Sequence, residues 1–204
     1  MKRVKKIKEY YNKNMENAEK DYEILGWESQ EAQYARFAAL KDNIDMEGLK
    51  LLDVGCGLGN LLEYLTGEGV KVQYTGVDIL PEMIEMAKKK NLDGEFICTD
   101  VFTDKSFTTD SFDVVYASGI FNLNLENNRE FLLSALGHFF NISKKYICFN
   151  LLHYKSPNKE DTYFYFSPDE ARAIISDASA GSKISIDIVE DYLKNDFTVL
   201  CKKL

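Results

Sequence analysis

The sequence is short of the residues that build metal sites and disulfide frameworks. It has only two histidines and four cysteines among 204 residues, with no Cys-x-x-Cys pair. We therefore expect no bound metal and no disulfides. Three of the cysteines, Cys98, Cys148 and Cys201, lie in strand-like runs and are expected to be small buried thiols. No run reaches the roughly 20 apolar residues that cross a bilayer, so a cytoplasmic protein without a membrane anchor is expected.

Positive charge is also scarce. With 25 basic and 33 acidic residues the formal net charge is −8. Nucleic acid is therefore not expected as a partner, because binding to a phosphate backbone requires a broad basic surface. The one basic cluster consists of Lys2, Arg3, Lys5, Lys6 and Lys8. It predicts a solvated helix face, with contact to an acidic partner or a membrane surface as the alternative.

The length and the 45% hydrophobic content suit one well-buried core rather than two. Residues 1–43 predict two helices, broken near Gly26, whose aromatic side chains suggest a closing surface. No Pro- or Gly-rich linker follows them. We therefore assign this helical cap to the same domain as residues 44–204.

The most informative segment is an apolar strand that ends in an acid and three glycines, Leu51-Leu52-Asp53-Val54-Gly55-Cys56-Gly57-Leu58-Gly59. Glycines let the chain turn sharply and let backbone amides approach a ligand closely. A dinucleotide fingerprint would need its third glycine where Asn60 stands. The Asp53 carboxylate would repel a diphosphate but suit a cation. The turn predicts a cationic ligand that carries a nucleoside, and Cys56 fits it better as a small residue than as a nucleophile.

A second acid stands at the end of the next predicted strand. Residues 71–78 finish at Asp78, 23 positions after Gly55, where a doubly wound sheet places the carboxylate that binds a ribose diol. Pro81 then suits the first turn of a helix over residues 81–90. Asp78 alternatively caps that helix. The two roles are compatible.

The remaining sequence alternates strands and helices. Strands are predicted at 94–99, 112–117 and 144–152, and the apolar run at 112–117 is typical of a parallel strand covered on both faces. The runs 183–189 and 196–201 are joined so closely that they must form an antiparallel hairpin. The pattern predicts an α/β fold.

At the glycine turn and Asp78 the chain resembles the class I (Rossmann-like) S-adenosylmethionine-dependent methyltransferases, whose first motif is an acid followed by alternating glycines. Residues 27–37 are similar to small bacterial members whose substrates are uncharacterised. The resemblance implies S-adenosylmethionine as the cofactor. It also implies a seven-stranded, mostly parallel sheet with helices on both faces and the seventh strand between the fifth and sixth.

The resemblance implies a role for each motif residue. Asp53 would lie near the cationic methionine part of the cofactor, and Asp78 would hold the ribose. Asp100 and the amide of Val101 would bind adenine, and the loop at Ser118 would face the methyl group. The implied cofactor-binding residues are Arg36, Asp53, Gly55, Cys56, Gly57, Asp78, Ile79, Asp100, Val101 and Ser118.

Two further side chains have competing interpretations. The quinone-biosynthesis O-methyltransferases, which the chain resembles here, carry an arginine near the position of Arg36 that pairs with the cofactor's carboxylate. A surface ion pair of Arg36 with Asp42 or Glu31 is the alternative. His153 follows the strand at 144–152 and is a candidate general base. It is otherwise a loop histidine with solvent or backbone partners.

The acceptor is the least determined part. The aromatic run at 163–166 either walls its pocket or packs into the core. The loop at 117–121 lacks the Asn-Pro-Pro-Tyr-like sequence that similar amide and nucleobase methylases use, which favours a small-molecule acceptor and in-line methyl transfer. A non-catalytic module that binds the cofactor and an NAD-dependent oxidoreductase remain alternatives.

The role of Asp78 can be tested by one substitution. A charge-assisted hydrogen bond contributes on the order of 1.5–3 kcal/mol, so Asp78→Ala should raise the dissociation constant of S-adenosylmethionine at least about tenfold in calorimetry. Unchanged affinity would refute the ribose assignment.

Overall fold

The computed structural model describes residues 2–204, and its elements alternate as the sequence predicts. The strands are β1 (Lys50–Val54), β2 (Gln73–Asp78), β3 (Glu95–Cys98), β4 (Phe112–Ala117), β5 (Ser143–Leu152), β6 (Ile184–Val189) and β7 (Asp196–Lys203). The helices are α1 (Lys2–Asn17), α2 (Asp21–Ile24), α3 (Gln30–Lys41), α4 (Asn60–Gly67), α5 (Pro81–Lys89), α6 (Asn128–Ile142) and α7 (Pro168–Ala178).

The seven strands form one sheet in the order β3-β2-β1-β4-β5-β7-β6. Strands β1 to β5 pair in parallel, and β7 lies antiparallel between β5 and β6. This confirms the predicted α/β fold, including the inserted last strand. Because parallel strands end on the same side of a sheet, the loops after β1, β2, β3 and β4 meet at one edge.

Helices cover both faces of the sheet. On one face, Leu136 and Phe139 of α6 are fully buried against residues that include Val115 of β4. On the other face, Leu61 of α4 is buried in a second cluster that includes Leu51 of β1. The strands are therefore apolar on both sides, as the sequence of β4 predicted. This packing holds the strand ends in fixed relative positions.

The cap consists of three helices where two were predicted, because the short α2 precedes the break at Gly26. The hydroxyl of Ser29 caps α3 by accepting a hydrogen bond from the amide of Ala32 at 3.1 Å. Helix α1 is joined to the body of the fold by a 2.8 Å hydrogen bond between the hydroxyls of Tyr10 and Tyr163. The assignment of residues 1–43 and 44–204 to one domain stays a prediction.

The aromatic run at 163–166 packs into the body of the fold. Phe166 is fully buried, and the ring of Phe164 stands edge-on to it with 4.8 Å between centroids. None of the four residues lines the pocket described below. The contacts of Phe164 and Phe166 therefore fit the packing interpretation.

Burial of the cysteines depends on whether their strand lies inside the sheet or at its edge. Cys148 and Cys201 are buried, as predicted, on the inner strands β5 and β7. The prediction for Cys98 is wrong, because its thiol is exposed on the edge strand β3. Across residues 2–204, the helices are all too short or too polar to cross a membrane.

Two leucines of α6 give a matched test of the core. Leu136 is fully buried and Leu133 is 41% exposed on the same helix. Leu136→Ala should lower the free energy of unfolding by about 2–5 kcal/mol, because it leaves a cavity as well as removing apolar contacts. Leu133→Ala should change it by less than about 0.5 kcal/mol. Urea denaturation of both variants measures the difference, and similar losses would contradict the packing described here.

Candidate functional site

A pocket opens at the sheet edge where the parallel strands end, and the cap helices cover part of it. Nine of the ten predicted cofactor-binding residues lie in its wall. They are Asp53, Gly55, Cys56, Gly57, Asp78, Ile79, Asp100, Val101 and Ser118. Strands β1, β2 and β4, with the segment after β3, thus bring together residues that are far apart in sequence.

The glycine turn forms the floor of this pocket. Gly55 and Gly57 have φ values of 75° and 53°, in the left-handed region that glycine adopts without steric cost. A Cβ added at Gly57 would lie 2.6 Å from a methyl carbon of Leu25, which belongs to the cap. The amides of Gly55 and Cys56 donate to the carbonyl of Val77 at 2.8 and 3.0 Å. The turn is therefore tied to β2, and a side chain at Gly57 would require Leu25 to shift.

Asp78 holds both the turn and the start of α5. Its Oδ2 accepts a hydrogen bond from the amide of Gly57 at 3.1 Å, and its Oδ1 accepts one from the amide of Leu80 at 2.9 Å. Burial raises the pKa of this carboxyl above its ordinary value, although these amides oppose the shift. Each carboxylate oxygen has a second lone pair that can accept from a ligand hydroxyl. The predicted capping and ribose-binding roles are thus compatible in the structure.

Asp53 is the most deeply buried acid of the pocket, with 3% of its surface exposed. The hydroxyl of Tyr74 donates to its Oδ2 at 2.6 Å. Burial raises the pKa of Asp53 to about 7, and the nearby Asp78 adds to this, while the Tyr74 hydrogen bond opposes it. A buried carboxylate that a neutral hydroxyl supports favours a cationic ligand beside it.

Asp100 is paired with the first turn of α1. Its carboxylate forms an ion pair with Arg3, whose guanidinium also lies 5.0 and 4.8 Å from the ring centroids of Phe102 and Phe131. The prediction of a solvated helix face is therefore wrong for Arg3, because this arginine turns inward and lines the pocket. It holds for Lys5, which is exposed, as are Lys6 and Lys8.

Arg36 is outside the pocket wall, and the predicted surface ion pair with Asp42 or Glu31 is wrong. Its Nε donates to Oδ2 of Asp196 at 2.8 Å, and a terminal nitrogen binds the same oxygen. Another terminal nitrogen donates to the carbonyl of Ala32 at 2.6 Å. Arg36 is 3% exposed, so this is a buried ion pair with β7 and not a surface pair. These bonds use three of the five N–H donors of the guanidinium, and the pairing with a cofactor carboxylate stays a prediction.

His153 is also outside the pocket wall. Its Nδ1 accepts from the amide of Lys155 at 2.9 Å, and its Nε2 lies 3.2 Å from a carboxylate oxygen of Glu190. Its ring stacks on Tyr154 with 5.0 Å between centroids. These local partners fit the alternative of a structural loop histidine, and the general-base role stays a prediction.

Several lining residues were not assigned from the sequence. Gln33 is 2% exposed and lies in the pocket wall with Trp27 and Phe37. It stands one helical turn before Phe37 on α3, so a polar residue on the apolar face of that helix was the available signal. Phe102 and Phe131 also line the pocket and carried no motif that could have marked them.

The chemistry that this pocket supports is binding and exclusion of water rather than nucleophilic attack by a side chain. The thiol of Cys56 is the nucleophile nearest the turn, and burial raises its pKa well above the ordinary value, which keeps it protonated. Three acids, Asp53, Asp78 and Asp100, give the wall an excess of negative charge. The arrangement fits a cationic nucleoside.

Comparison with known proteins indicates the family to which the chain belongs. Residues 51–138 match a family model described as a methyltransferase domain. The chain is 31% identical over 163 residues to Rv1506c of Mycobacterium tuberculosis, a provisionally named methyltransferase, and the match covers 74% of this chain and 91% of that protein. A shorter match of 40% identity over 63 residues covers 31% of this chain and 22% of the 18S rRNA (guanine(1575)-N(7))-methyltransferase of Saccharomyces cerevisiae.

The fold is similar to that of a solved structure, the magnesium protoporphyrin IX methyltransferase of Synechocystis PCC 6803 with bound S-adenosylhomocysteine. The TM-score is 0.67 at 14% identity, and the match covers 100% of both chains. At this identity the likeness is one of fold. These relatives favour neither the NAD-dependent oxidoreductase nor the non-catalytic module.

The raised pKa of Asp53 predicts how stability changes with pH. The folded chain binds this proton more tightly than the unfolded chain, so the stability that it contributes at acid pH is lost between about pH 4 and pH 7. Asp53→Asn should remove this loss, and Tyr74→Phe should enlarge it. Urea denaturation at a series of pH values measures both effects. An identical pH dependence in the wild type and Asp53→Asn would contradict the assignment.

Proposed function

The chain belongs to the S-adenosylmethionine-dependent methyltransferases, and from that premise we propose that it methylates a small, largely apolar and uncharged molecule. The observation that carries this proposal is the pocket itself. Its acids lie at the strand ends, whereas much of the remaining wall is apolar or aromatic.

The strand ends supply the cofactor half of the proposed site. S-adenosylmethionine brings an electrophilic methyl group on a positively charged sulfur. Asp53 would lie beside its cationic methionine part, and Asp78 would accept hydrogen bonds from the ribose. Asp100 and Val101 would bind the adenine. The buried carboxylate of Asp53 supports this orientation, because it favours positive charge beside it.

The cap and the loop after β4 supply the acceptor half. Tyr11, Trp27, Phe37, Ile120 and Leu123 line the pocket there. Among the described lining residues Arg3 is the only lysine or arginine, and it is paired with Asp100. An acceptor that carries a phosphate or carboxylate would therefore lack a free cation. Burial against aromatic rings instead favours an uncharged acceptor.

Catalysis in this proposal comes from alignment. Holding two reactants in line can supply up to about 7–11 kcal/mol of the barrier, and a covered pocket excludes competing water. With His153 bonded elsewhere, no histidine among the described residues lies in the pocket wall to act as a general base. An acceptor atom that is already nucleophilic at neutral pH fits this site better than one that must first be deprotonated.

The net charge supports a small molecule over nucleic acid. A charge of −8 opposes binding to a phosphate backbone. One relative in yeast is named as an rRNA methyltransferase, so the acceptor class needs a direct test.

The test is methyl transfer from labelled S-adenosylmethionine to a cell extract separated into small molecules, RNA and protein. We expect label in the small-molecule fraction, extractable into organic solvent. Asp78→Ala is the matched control, because it should bind the labelled cofactor poorly and transfer little.

Two outcomes would contradict the proposal. Label that nuclease or protease treatment releases would place the acceptor among macromolecules. Tight binding of S-adenosylhomocysteine, with no label transferred to any fraction, would instead favour the non-catalytic module.

A further inference from the structure

Arg36 belongs to a closed chain of contacts that the cofactor site does not explain. Its guanidinium carbon lies 4.2 Å from the ring centroid of Trp27, in the cap, while its nitrogens bind Asp196 at the start of β7. Arg36 and Asp196 are 3% and 2% exposed. Removing two such charges from water is costly, so a buried pair of this kind need not add to the stability of the fold.

Asn150 extends this chain of contacts from Asp196 to the loop after β4. Its Nδ2 donates to Oδ1 of Asp196 at 2.9 Å, and its Oδ1 accepts from the amide of Gly119 at 2.9 Å. Asn150 is fully buried on β5. Both ends of its amide are therefore committed, and a turn of the loop depends on a side chain from the neighbouring strand.

Contact between Trp27 and Gly119 closes this chain of contacts. Gly119 has a φ of 80°, and a Cβ added to it would lie 2.9 Å from the Cη2 atom of Trp27. The indole ring thus rests directly on the glycine. One side of the loop is held by the Asn150 hydrogen bond and the other by the cap.

The five residues in this closed set of contacts differ in their position relative to the pocket. Trp27 and Gly119 line the pocket, whereas Arg36, Asn150 and Asp196 are outside its wall. The three interior residues therefore cannot contact a ligand in this arrangement. They link two surfaces that can: the cap residue Trp27 and the loop at 118–120.

We propose that Arg36, Asp196 and Asn150 are positioning residues, which couple the seating of the cap at Trp27 to the conformation of the Ser118–Ile120 loop. This proposal rests on the proposed function, in which that loop faces the transferred methyl group. A loosened cap would then misplace the loop, and a loosened loop would unseat the cap.

The coupling is tested by changing one end and measuring the other. Arg36→Lys keeps a cation beside Asp196 but loses the planar fork and its stacking on Trp27. We expect hydrogen exchange of the Gly119 amide, followed by NMR, to accelerate at least about tenfold, although Arg36 does not touch that amide. Arg36→Met should accelerate it further. That variant is at risk of misfolding because it leaves Asp196 buried without a cation, so Arg36→Lys decides the outcome.

The reverse experiment uses Trp27 as a reporter. It is the only tryptophan in the chain, so intrinsic tryptophan fluorescence comes from the cap alone. Asn150→Ala removes the Gly119 hydrogen bond without touching Trp27. We expect the emission to shift to longer wavelength and its quenching by acrylamide to increase.

Ser143→Ala is the matched control. Ser143 is also a fully buried polar residue of β5, but it lies at the opposite end of the strand and donates to the carbonyl of Tyr146 at 2.9 Å. Its removal should leave Gly119 exchange and Trp27 quenching at their wild-type values. Equal effects in the control would overturn the proposal by showing general loosening.

Titration of each protein with S-adenosylhomocysteine separates the two levels of failure. If the wild type does not bind this compound, the proposed function fails. If the wild type and the variants bind it, but Gly119 exchange in Arg36→Lys or Trp27 quenching in Asn150→Ala stays at the wild-type value, the coupling proposal alone is overturned.

Discussion

Two carboxylates at the ends of neighbouring strands, Asp53 on β1 and Asp78 on β2, are the constraint on which the site depends. Their hydrogen-bond donors are the hydroxyl of Tyr74 and the amides of Gly57 and Leu80, all of them neutral. Burial raises the pKa of both acids. A cationic ligand stabilises such carboxylates, whereas a diphosphate would be repelled. Charge therefore favours a sulfonium cofactor over a dinucleotide.

Asp78 and Asp100 lie where the cap meets the pocket. Asp78 binds the amide of Gly57, and Leu25 of the cap lies where a side chain at Gly57 would stand. Arg3 reaches from α1 to Asp100 on the other side of the pocket. The cap thus contacts both the glycine turn and Asp100. The pocket is completed by segments that precede the sheet in sequence.

Much of the fold was predictable because its causes are local. The acid-ended strands before Gly55 and Pro81, and the short connection between β6 and β7, each depend on neighbouring residues, and all were found. The wrong predictions concern features that depend on where a segment lies in the sheet or the cap. Cys98 looked like a buried thiol because its strand is apolar, but β3 is an edge strand. The extra helix α2 is a single turn, too short to give a periodic pattern.

The sequence by itself determined the sheet, the glycine turn and the acids at the sheet edge. Strand patterning and the convergence of parallel strands place Asp53, Asp78 and Asp100 together. Only the tertiary structure decided the partners of the long charged side chains. Arg36 pairs with Asp196, and Arg3 with Asp100. An arginine pairs with whichever carboxylate the fold brings near it, and the spacing of residues in the sequence does not predict contacts between positions so far apart.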